Sequence, residues 1–502
     1  MNLLKRGIII LVSCGIVSLN MGCNHSNVPI KPENNASTHE EKKLREITIT
    51  DFPTKQQYFI GEDIDLTGIK LQAHYSDGLI AAILLEDMTV ESVNMFQLGK
   101  QNVVLKNGNV SVGFEIDVSY QQNNLPVVYI ETKEHASIDS KDVYVDADMK
   151  ICWGGGGVTY YEGTTKIKGR GNATWQYPKK PYRLKLSKKM NLLDMAIGKD
   201  TAWLLLANYT DKTLLRTQIA LKLSELFEFA WTPKMQFVDL FINGEYVGNY
   251  QLGESVKVAS HRLNIPKATG YLIERDQYYD QEPNYFISEE YKYGYSFKHP
   301  DGEKITTEQR DAILNYINEM EGVLKSNNFK DENSGYRKYI DVESFCKWFL
   351  FQEVLANLDT NPYSYISDLS SDKLKMGPVW DFEWSLGIGW YDGPRPRNVN
   401  YWAQKDQLYF SRLLEDEYFV NELKNVWNSK KGQINNIIDY IYRQSEEIKK
   451  SRELNFKKWN GLLTNRISVG GIPLGSYDAE LACDVEFLKK RIDWLNNEIA
   501  KL

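Results

Sequence analysis

The sequence predicts a multidomain protein in which an all-β sandwich precedes a larger α+β domain. Between residues 44 and 120, short runs alternate apolar and polar residues, and turn sequences such as YSDG and KNGN separate them, as in β-sandwiches. After residue 127, strand-like runs come first and helical patterns follow, which is typical of α+β folds. The length of 502 residues also exceeds what one hydrophobic core usually holds.

The composition excludes several functional classes. A formal net charge of −7 argues against a general nucleic-acid-binding protein, so we expect no nucleic-acid partner. Three cysteines follow the N-terminal segment, at Cys152, Cys346 and Cys483. They are far apart and form no CxxC motif, so they predict neither a disulfide framework nor a zinc site. We expect them to be buried as small apolar residues.

The first 43 residues have the pattern of an export signal and a tether. Lys5 and Arg6 precede an apolar run that ends at LNMGC, which predicts a lipoprotein signal peptide over residues 1–22 and lipidation at Cys23. Residues 23–43 are polar and predict a flexible tether. We therefore expect an exported protein that a lipid anchors to the membrane or cell surface, although a short uncleaved anchor is an alternative.

The predicted sandwich over residues 44–120 has the motifs PTKQQYFIGEDIDLTG and YSDG. In these motifs it resembles the bacterial immunoglobulin-like modules of surface proteins. The resemblance implies a spacer or an adhesion module. Residues 121–126, QQNNLP, have the composition of a linker before the second domain, which we assign to residues 127–502.

Several elements of the second domain can be assigned from local patterns. Gly154–Gly157 form either a mobile loop or a flap over a ligand. Apolar residues at helical spacing predict a helix that includes Leu215–Leu226. Asn243-Gly244 between two alternating runs predicts a β-hairpin. Asp341 is a suitable N-cap for an aromatic helix that extends to Leu358.

Two aspartates follow this aromatic helix in a distinctive order. Asp359 comes directly after the helix, two strand-like runs surround the turn DLSSDK, and Asp381 follows in WDFEW. Because a hairpin brings its two ends together, the two carboxylates can share one site. Phosphoryl transfer uses such a pair, one to orient the acceptor hydroxyl and one to hold magnesium. Each aspartate taken singly could instead cap a turn or end a strand.

Five segments together give a more specific indication: GRGNATW, PKKPYRLK, LLANYTDKTLLR, FINGEYVGNYQLGE and GPVWDFEWSLG. In this order they resemble the CotH family of atypical, spore-coat-type protein kinases. The resemblance implies an atypical protein-kinase-like fold that uses ATP and Mg²⁺ or Mn²⁺ to phosphorylate Ser or Thr of protein substrates. It also implies that Asp359 is the catalytic aspartate and that Asp381 binds the metal.

The basic stretch KIKGRGNATWQYPKKPYRLKL is the candidate phosphate-binding region. Cations would contact the polyphosphate, and glycines would let the backbone approach it. The candidates are Arg170, Lys180, Arg183, Lys185, Gly169 and Gly171. Lys185 is the first choice for the phosphate-pairing lysine and Lys180 the second, although either lysine could simply protect an exposed strand edge. Arg216 is a further candidate, either as support for the site or as a surface charge.

Two positions depart from the expected pattern. Ser364 stands where the protein-kinase loop has an Asn that binds a second metal ion, and we retain Ser364 as a weaker candidate ligand. Glu383 stands where the CotH family often has Asp. The sequence contains no GxSxG motif. The main alternative is a non-catalytic surface-binding or structural coat protein on a kinase-like scaffold.

Overall fold

The computed structural model describes residues 42–153, 158–388, 398–467 and 472–502. The predicted signal peptide, Cys23, nearly all of the tether and Gly154–Gly157 lie outside these residues. None of the described helices is long and apolar enough to cross a bilayer. Cys152, Cys346 and Cys483 are buried free thiols, as predicted.

The first domain is a sandwich of two sheets, as the alternating pattern predicts. One sheet has the order β1-β3-β4 and the other β2-β7-β6-β5. Phe114, Ile116 and Val118 alternate along β7 and point into the core. The strands β1 to β7 cover Leu44–Asp51, Gln57–Phe59, Lys70–Tyr75, Ile80–Ile83, Thr89–Val90, Gly99–Asn107 and Val110–Ser119.

The second domain begins with a closed barrel in the order β10-β11-β12-β14-β13-β8-β9. Its interior is filled by apolar side chains such as Ile167, Leu184 and Trp203, which are fully buried. The strands β8 to β14 cover Pro126–Thr132, Val145–Trp153, Thr159–Gly169, Tyr182–Met190, Asp200–Leu206, Met235–Ile242 and Glu245–Glu254. The predicted hairpin joins β13 to β14, and both Asn243 and Gly244 have positive φ at its turn.

A five-stranded sheet and a helical layer complete the second domain. The sheet has the order β16-β17-β15-β18-β19. Its strands β15 to β19 cover Tyr271–Arg275, Tyr285–Ile287, Gly294–His299, Tyr363–Ile366 and Lys375–Met376. The described helices α1 to α8 cover Arg216–Leu226, Thr307–Lys325, Val342–Leu355, Phe410–Leu413, Glu417–Asn435, Ile437–Glu447, Lys449–Lys458 and Tyr477–Lys501.

Helix α3 is the core of this layer and leads directly to the predicted site. Asp341 caps it by accepting a hydrogen bond from the Ser344 amide at 2.9 Å. Nearly every residue of α3 after its first turn is buried, because α5 and α8 pack against it. The helix ends at Ala356, which adopts a left-handed conformation.

The sandwich packs directly on the barrel at the β13–β14 turn. The Leu98 amide donates to Gly244 O at 2.9 Å, and the Tyr246 amide donates to Phe96 O at 2.8 Å. The Phe96 and Tyr246 rings stack at 6.3 Å. Asn123, within the segment predicted as a linker, donates to the buried Asp239 carboxylate at 2.7 Å. The first domain is therefore attached through a defined contact surface, and the linker is anchored to the barrel.

Candidate active site

Asp359 and Asp381 are brought together by the hairpin that the sequence predicts. Strand β18 pairs with β19 through Ser364 opposite Met376. Asp359 lies before β18 and Asp381 after β19, so both reach the same end of the hairpin. Both side chains line one cleft of about 330 Å³ between the barrel and the five-stranded sheet.

The cleft is lined by residues from three parts of the domain. The barrel and its loops contribute Arg170 and Gly171, and the five-stranded sheet contributes Glu274 and Lys298. The segment after the hairpin contributes Asp381 and its neighbours. The other lining residues include Asn172, Thr174, Tyr177, Asp276, Tyr278, Glu282, Asn361, Tyr363, Trp380, Phe382, Glu383 and Trp384.

The segment that carries Asp381 is held at several points. Asp381 itself has φ of 67°, a left-handed conformation that is uncommon for residues other than Gly and that clusters at functional sites. The Leu386 amide donates to Leu355 O at 2.8 Å, and Arg216 Nε donates to Ser385 O at 3.1 Å. These contacts offset the backbone strain by fixing the residues that follow.

Arg216 is a buried structural cation. It is fully buried and pairs with Asp211 and Asp484, each at 2.5 Å. Because its third contact is to Ser385, this group links helices α1 and α8 to the segment after Asp381. Of the two alternatives for Arg216, support of the site fits this geometry and a surface charge does not.

The carboxylates of the cleft have raised pKa values, mainly because the surrounding protein removes water from them. Burial raises the pKa of Asp359 to about 6, and the negative charge of Asp381 contributes to the rise. The surrounding protein partly displaces water from Asp381 and so raises its pKa, whereas the positive charge of Arg170 lowers it. Asp381 is open to water in the cleft, so solvent screens part of these effects. Burial raises the pKa of Glu383 to about 7, and Glu383 accepts a hydrogen bond from Thr210 at 2.5 Å.

Of the cations predicted to bind phosphate, Arg170 is the one that lines the cleft, and its positive charge acts on Asp381. Its guanidinium lies over the Trp380 ring at 5.8 Å. Burial lowers its pKa, and the charge of Asp381 opposes that change. Gly171 lies beside it with φ of 82°, and a Cβ there would lie 2.0 Å from Thr174 Oγ1. Gly171 is therefore required by local geometry at the cleft wall.

The remaining cations of the basic stretch do not line the cleft. Lys180 Nζ donates to Trp175 O at 2.6 Å. Arg183 and Lys185 alternate with the buried residues of β11, as predicted, but their exposed side chains lie outside the cleft. Gly169 lies under the Trp175 ring, where a Cβ would meet a ring carbon at 2.4 Å. The preference for Lys185 and then Lys180 as the phosphate-pairing lysine does not fit this geometry.

Ser364 also lies away from the cleft. Tyr363 lines the cleft, and adjacent strand residues point to opposite faces. Ser364 is buried on the other face, where its hydroxyl donates to Met376 Sδ at 3.5 Å. The prediction that Ser364 binds a metal ion is therefore inconsistent with the structure.

A second cation of the cleft, Lys298, was not predicted from the sequence. It pairs with Glu274 at 2.8 Å and with Glu282 at 3.5 Å. Lys298 precedes Asp359 by 61 residues in the numbering, so no short spacing marks the pair. The related signal was the run GYLIERD, in which Glu274 ends a strand with Arg275 and Asp276 follows it, but it does not identify Lys298 as the partner.

The donor set of the cleft fits a metal ion that is bound together with a phosphate ligand. No group of three or more His, Cys, Asp or Glu residues among those the structure describes could hold a metal ion by itself. Mg²⁺ is commonly bound by one or two carboxylates plus substrate phosphates and water. The Asp359 and Asp381 pair has this composition.

Comparisons with known proteins agree with the division into two domains. A family model described as CotH kinase protein matches residues 167–495, and one described as bacterial Ig-like domain (group 3) matches residues 52–118. No curated protein matches the chain. A solution structure described as that of a proposed surface protein is 22% identical and covers 16% of this chain and 91% of its own, with a TM-score of 0.12.

Proposed function

Because this chain belongs to the CotH kinase protein family, we propose that it is a protein kinase that transfers the γ-phosphate of ATP to Ser or Thr of surface or coat proteins. The observation that carries the proposal is the shared cleft of Asp359 and Asp381 at the end of the β18–β19 hairpin. Phosphoryl transfer depends mainly on positioning and on charge compensation. The paired carboxylates and the two cations that line the cleft would supply both.

Asp381 would hold Mg²⁺ or Mn²⁺, which supplies charge neutralisation for the phosphates when bound. Asp359 would orient the acceptor hydroxyl. As the hydroxyl oxygen bonds to the γ-phosphorus and the bond to the β,γ-bridging oxygen breaks, the Asp359 carboxylate would accept the hydroxyl proton. A pKa of about 6 leaves Asp359 ionised at neutral pH and basic enough for this role.

Arg170 and Lys298 are the best candidates for contact with the phosphates. Both line the cleft with the two aspartates. A guanidinium can bind phosphate oxygens in a bidentate manner, and an ammonium group acts as a point charge. Lys298 would be positioned by Glu274, which it contacts at 2.8 Å.

The proposed location is outside the cytoplasm, at the membrane or cell surface. This rests on the charged and apolar segment of residues 1–22 and on Cys23 as the lipidated residue. The sandwich of residues 44–120 would then lie between the lipid anchor and the catalytic domain. Its packing on the β13–β14 turn would fix the orientation of the two domains relative to each other.

Transfer of a labelled γ-phosphate tests the proposed activity. The soluble form that starts after Cys23 would be incubated with γ-labelled ATP, Mg²⁺ or Mn²⁺ and a Ser-rich peptide. We expect labelling by the wild type and its loss in Asp359→Asn and Asp381→Asn. Asp368→Asn, in the exposed turn of the same hairpin, is the matched control and should retain labelling. Labelling that persists in both cleft variants, or is absent from the wild type, would contradict the proposal.

A further inference from the structure

One buried amide connects the backbones of both cleft aspartates. Asn357 is fully buried between the end of α3 and Asp359. Its Oδ1 accepts a hydrogen bond from the Asp359 amide at 3.3 Å. Its Nδ2 donates to Asp381 O at 3.1 Å. A single side chain thus joins two residues that are separated by the whole hairpin.

The chemistry of the partners fixes the orientation of this amide. The Asp359 amide is a donor and requires an acceptor, and the Asp381 carbonyl is an acceptor and requires a donor. Asn provides one of each at the required separation. A Ser side chain could accept from the Asp359 amide in a local turn, but it is too short to reach Asp381 as well.

Asn357 is in turn held by a buried polar network. Gln404 Nε2 donates to Asn357 O at 2.7 Å. The backbone N–H of Gln404 donates to Glu353 Oε1 at 2.7 Å. Glu353 also pairs with Arg491 at 2.5 Å, and both of these side chains are fully buried. The network extends from α8 through α3 to the cleft, so the position of Asn357 is set by the packed core.

A local turn alone would not require the second contact. An Asn that accepts from the amide two residues later forms a common Asx turn. The contact to Asp381, 24 residues away, adds nothing to such a turn. It does fix the backbone of Asp381, whose φ of 67° requires support from its surroundings.

We propose that Asn357 is a positioning residue that sets the spacing of the Asp359 and Asp381 carboxylates for metal–nucleotide binding. The inference rests on the proposed kinase function. Removal of a residue that holds a metal ligand in position without touching the metal typically reduces metal affinity or activity by about 10–100-fold. Loss of Asn357 would therefore weaken the response to metal in protein that still folds.

Asn123 provides a control outside the cleft because its amide also joins a local backbone N–H to a distant residue, although its distant acceptor is the carboxylate of Asp239 rather than a backbone carbonyl. Its Oδ1 accepts from the Leu125 amide two residues later, and its Nδ2 donates to the distant Asp239. Asn357→Ala and Asn123→Ala would be compared by the rise in Tm on adding Mn²⁺ and ATP. The Mn²⁺ concentration for half-maximal labelling would also be measured. Asn357→Ser, which keeps the local turn acceptor, serves if the Ala variant does not fold.

We expect Asn357→Ala and Asn357→Ser to raise the half-maximal Mn²⁺ concentration by about 10-fold or more and to reduce the Mn²⁺–ATP shift in Tm. Asn123→Ala should lower the Tm without metal but leave both metal responses unchanged. Equal metal responses in the wild type and both Asn357 variants would overturn this inference alone. A wild type without labelling and without any metal-dependent shift would overturn the proposed function and this inference together.

Discussion

Removal of the buried Arg491 guanidinium tests the polar network behind the cleft. Arg491 donates to Glu353 O at 2.7 Å, to Glu353 Oε2 at 2.5 Å, and to Val399 O and Tyr401 O at 2.5 Å each. Arg491→Met would leave the fully buried Glu353 carboxylate with only the amides of Ala403 and Gln404. Breaking a buried ion pair in this way costs about 3–5 kcal/mol.

The neighbouring residue on α8 supplies the control. Lys490 pairs with Glu486 at 2.6 Å, and the two side chains are 55% and 52% exposed. Exposed pairs contribute about 0–1 kcal/mol, so Lys490→Met should be nearly neutral. Urea unfolding followed by tryptophan fluorescence would measure the free energy of unfolding of both variants. Equal, small losses in the two variants would refute the proposed role of the Arg491–Glu353 pair.

The pH dependence of the Arg491→Met variant gives a second check. Burial raises the pKa of Glu353 to about 7 even beside Arg491, and without Arg491 its pKa should rise further. A carboxyl whose folded-state pKa is raised makes the fold less stable as pH rises above the unfolded-state value. The gap between wild type and variant should therefore widen above pH 7, by at most about 1.4 kcal/mol per pH unit. A gap that narrows with rising pH would contradict this reasoning.

Three further predictions concern the cleft and the domain contact. Gly171→Ala should raise KM for ATP because the new Cβ would lie 2.0 Å from Thr174 Oγ1. Gly78 has a similar positive φ but open space around it, so Gly78→Ala is the control. An equal rise in KM for both variants would contradict the steric argument. The value of kcat/KM should fall as the pH is lowered through about 6, because Asp359 becomes protonated there. A fall in kcat/KM that is already complete above pH 7 would contradict the role of Asp359 as the base. Phe96→Ala should speed limited proteolysis at residues 121–125, whereas Phe52→Ala, at a 54% exposed site, should not.

The fold was predictable where local patterns decide the structure. Strict alternation identified strands such as β7, because one face is buried and the other is exposed. Asn243-Gly244 identified the β13–β14 turn, because both residues tolerate positive φ. The order of helix, aspartate, hairpin and aspartate identified the pairing of Asp359 and Asp381, because hairpin ends meet in space.

The cations of the cleft were not predictable in the same way. Alternation in β11 correctly separated Arg183 and Lys185 from the buried face. It carries no information on which part of the barrel exterior faces the cleft, because strand order and closure decide that. Lys298 comes from a different sheet, so only the tertiary arrangement brings it near Asp381.

The position of Ser364 shows a related limit of spacing arguments. Counting residues from Asp359 placed it at a ligand position, but β18 begins at Tyr363. From that residue onward the strand alternates faces, and Ser364 points to Met376. Asn357 was missed for the opposite reason, since its second contact lies across the hairpin and leaves no trace in local sequence.

A crystal structure with Mn²⁺ and a non-hydrolysable ATP analogue would test the central claim most directly. Anomalous scattering would locate the metal ion in the cleft. We predict Mn²⁺ within bonding distance of the Asp381 carboxylate, the phosphates beside Arg170 and Lys298, and the Asp359 carboxylate facing the γ-phosphate. A nucleotide bound outside this cleft, or bound in it without metal at Asp381, would contradict the account.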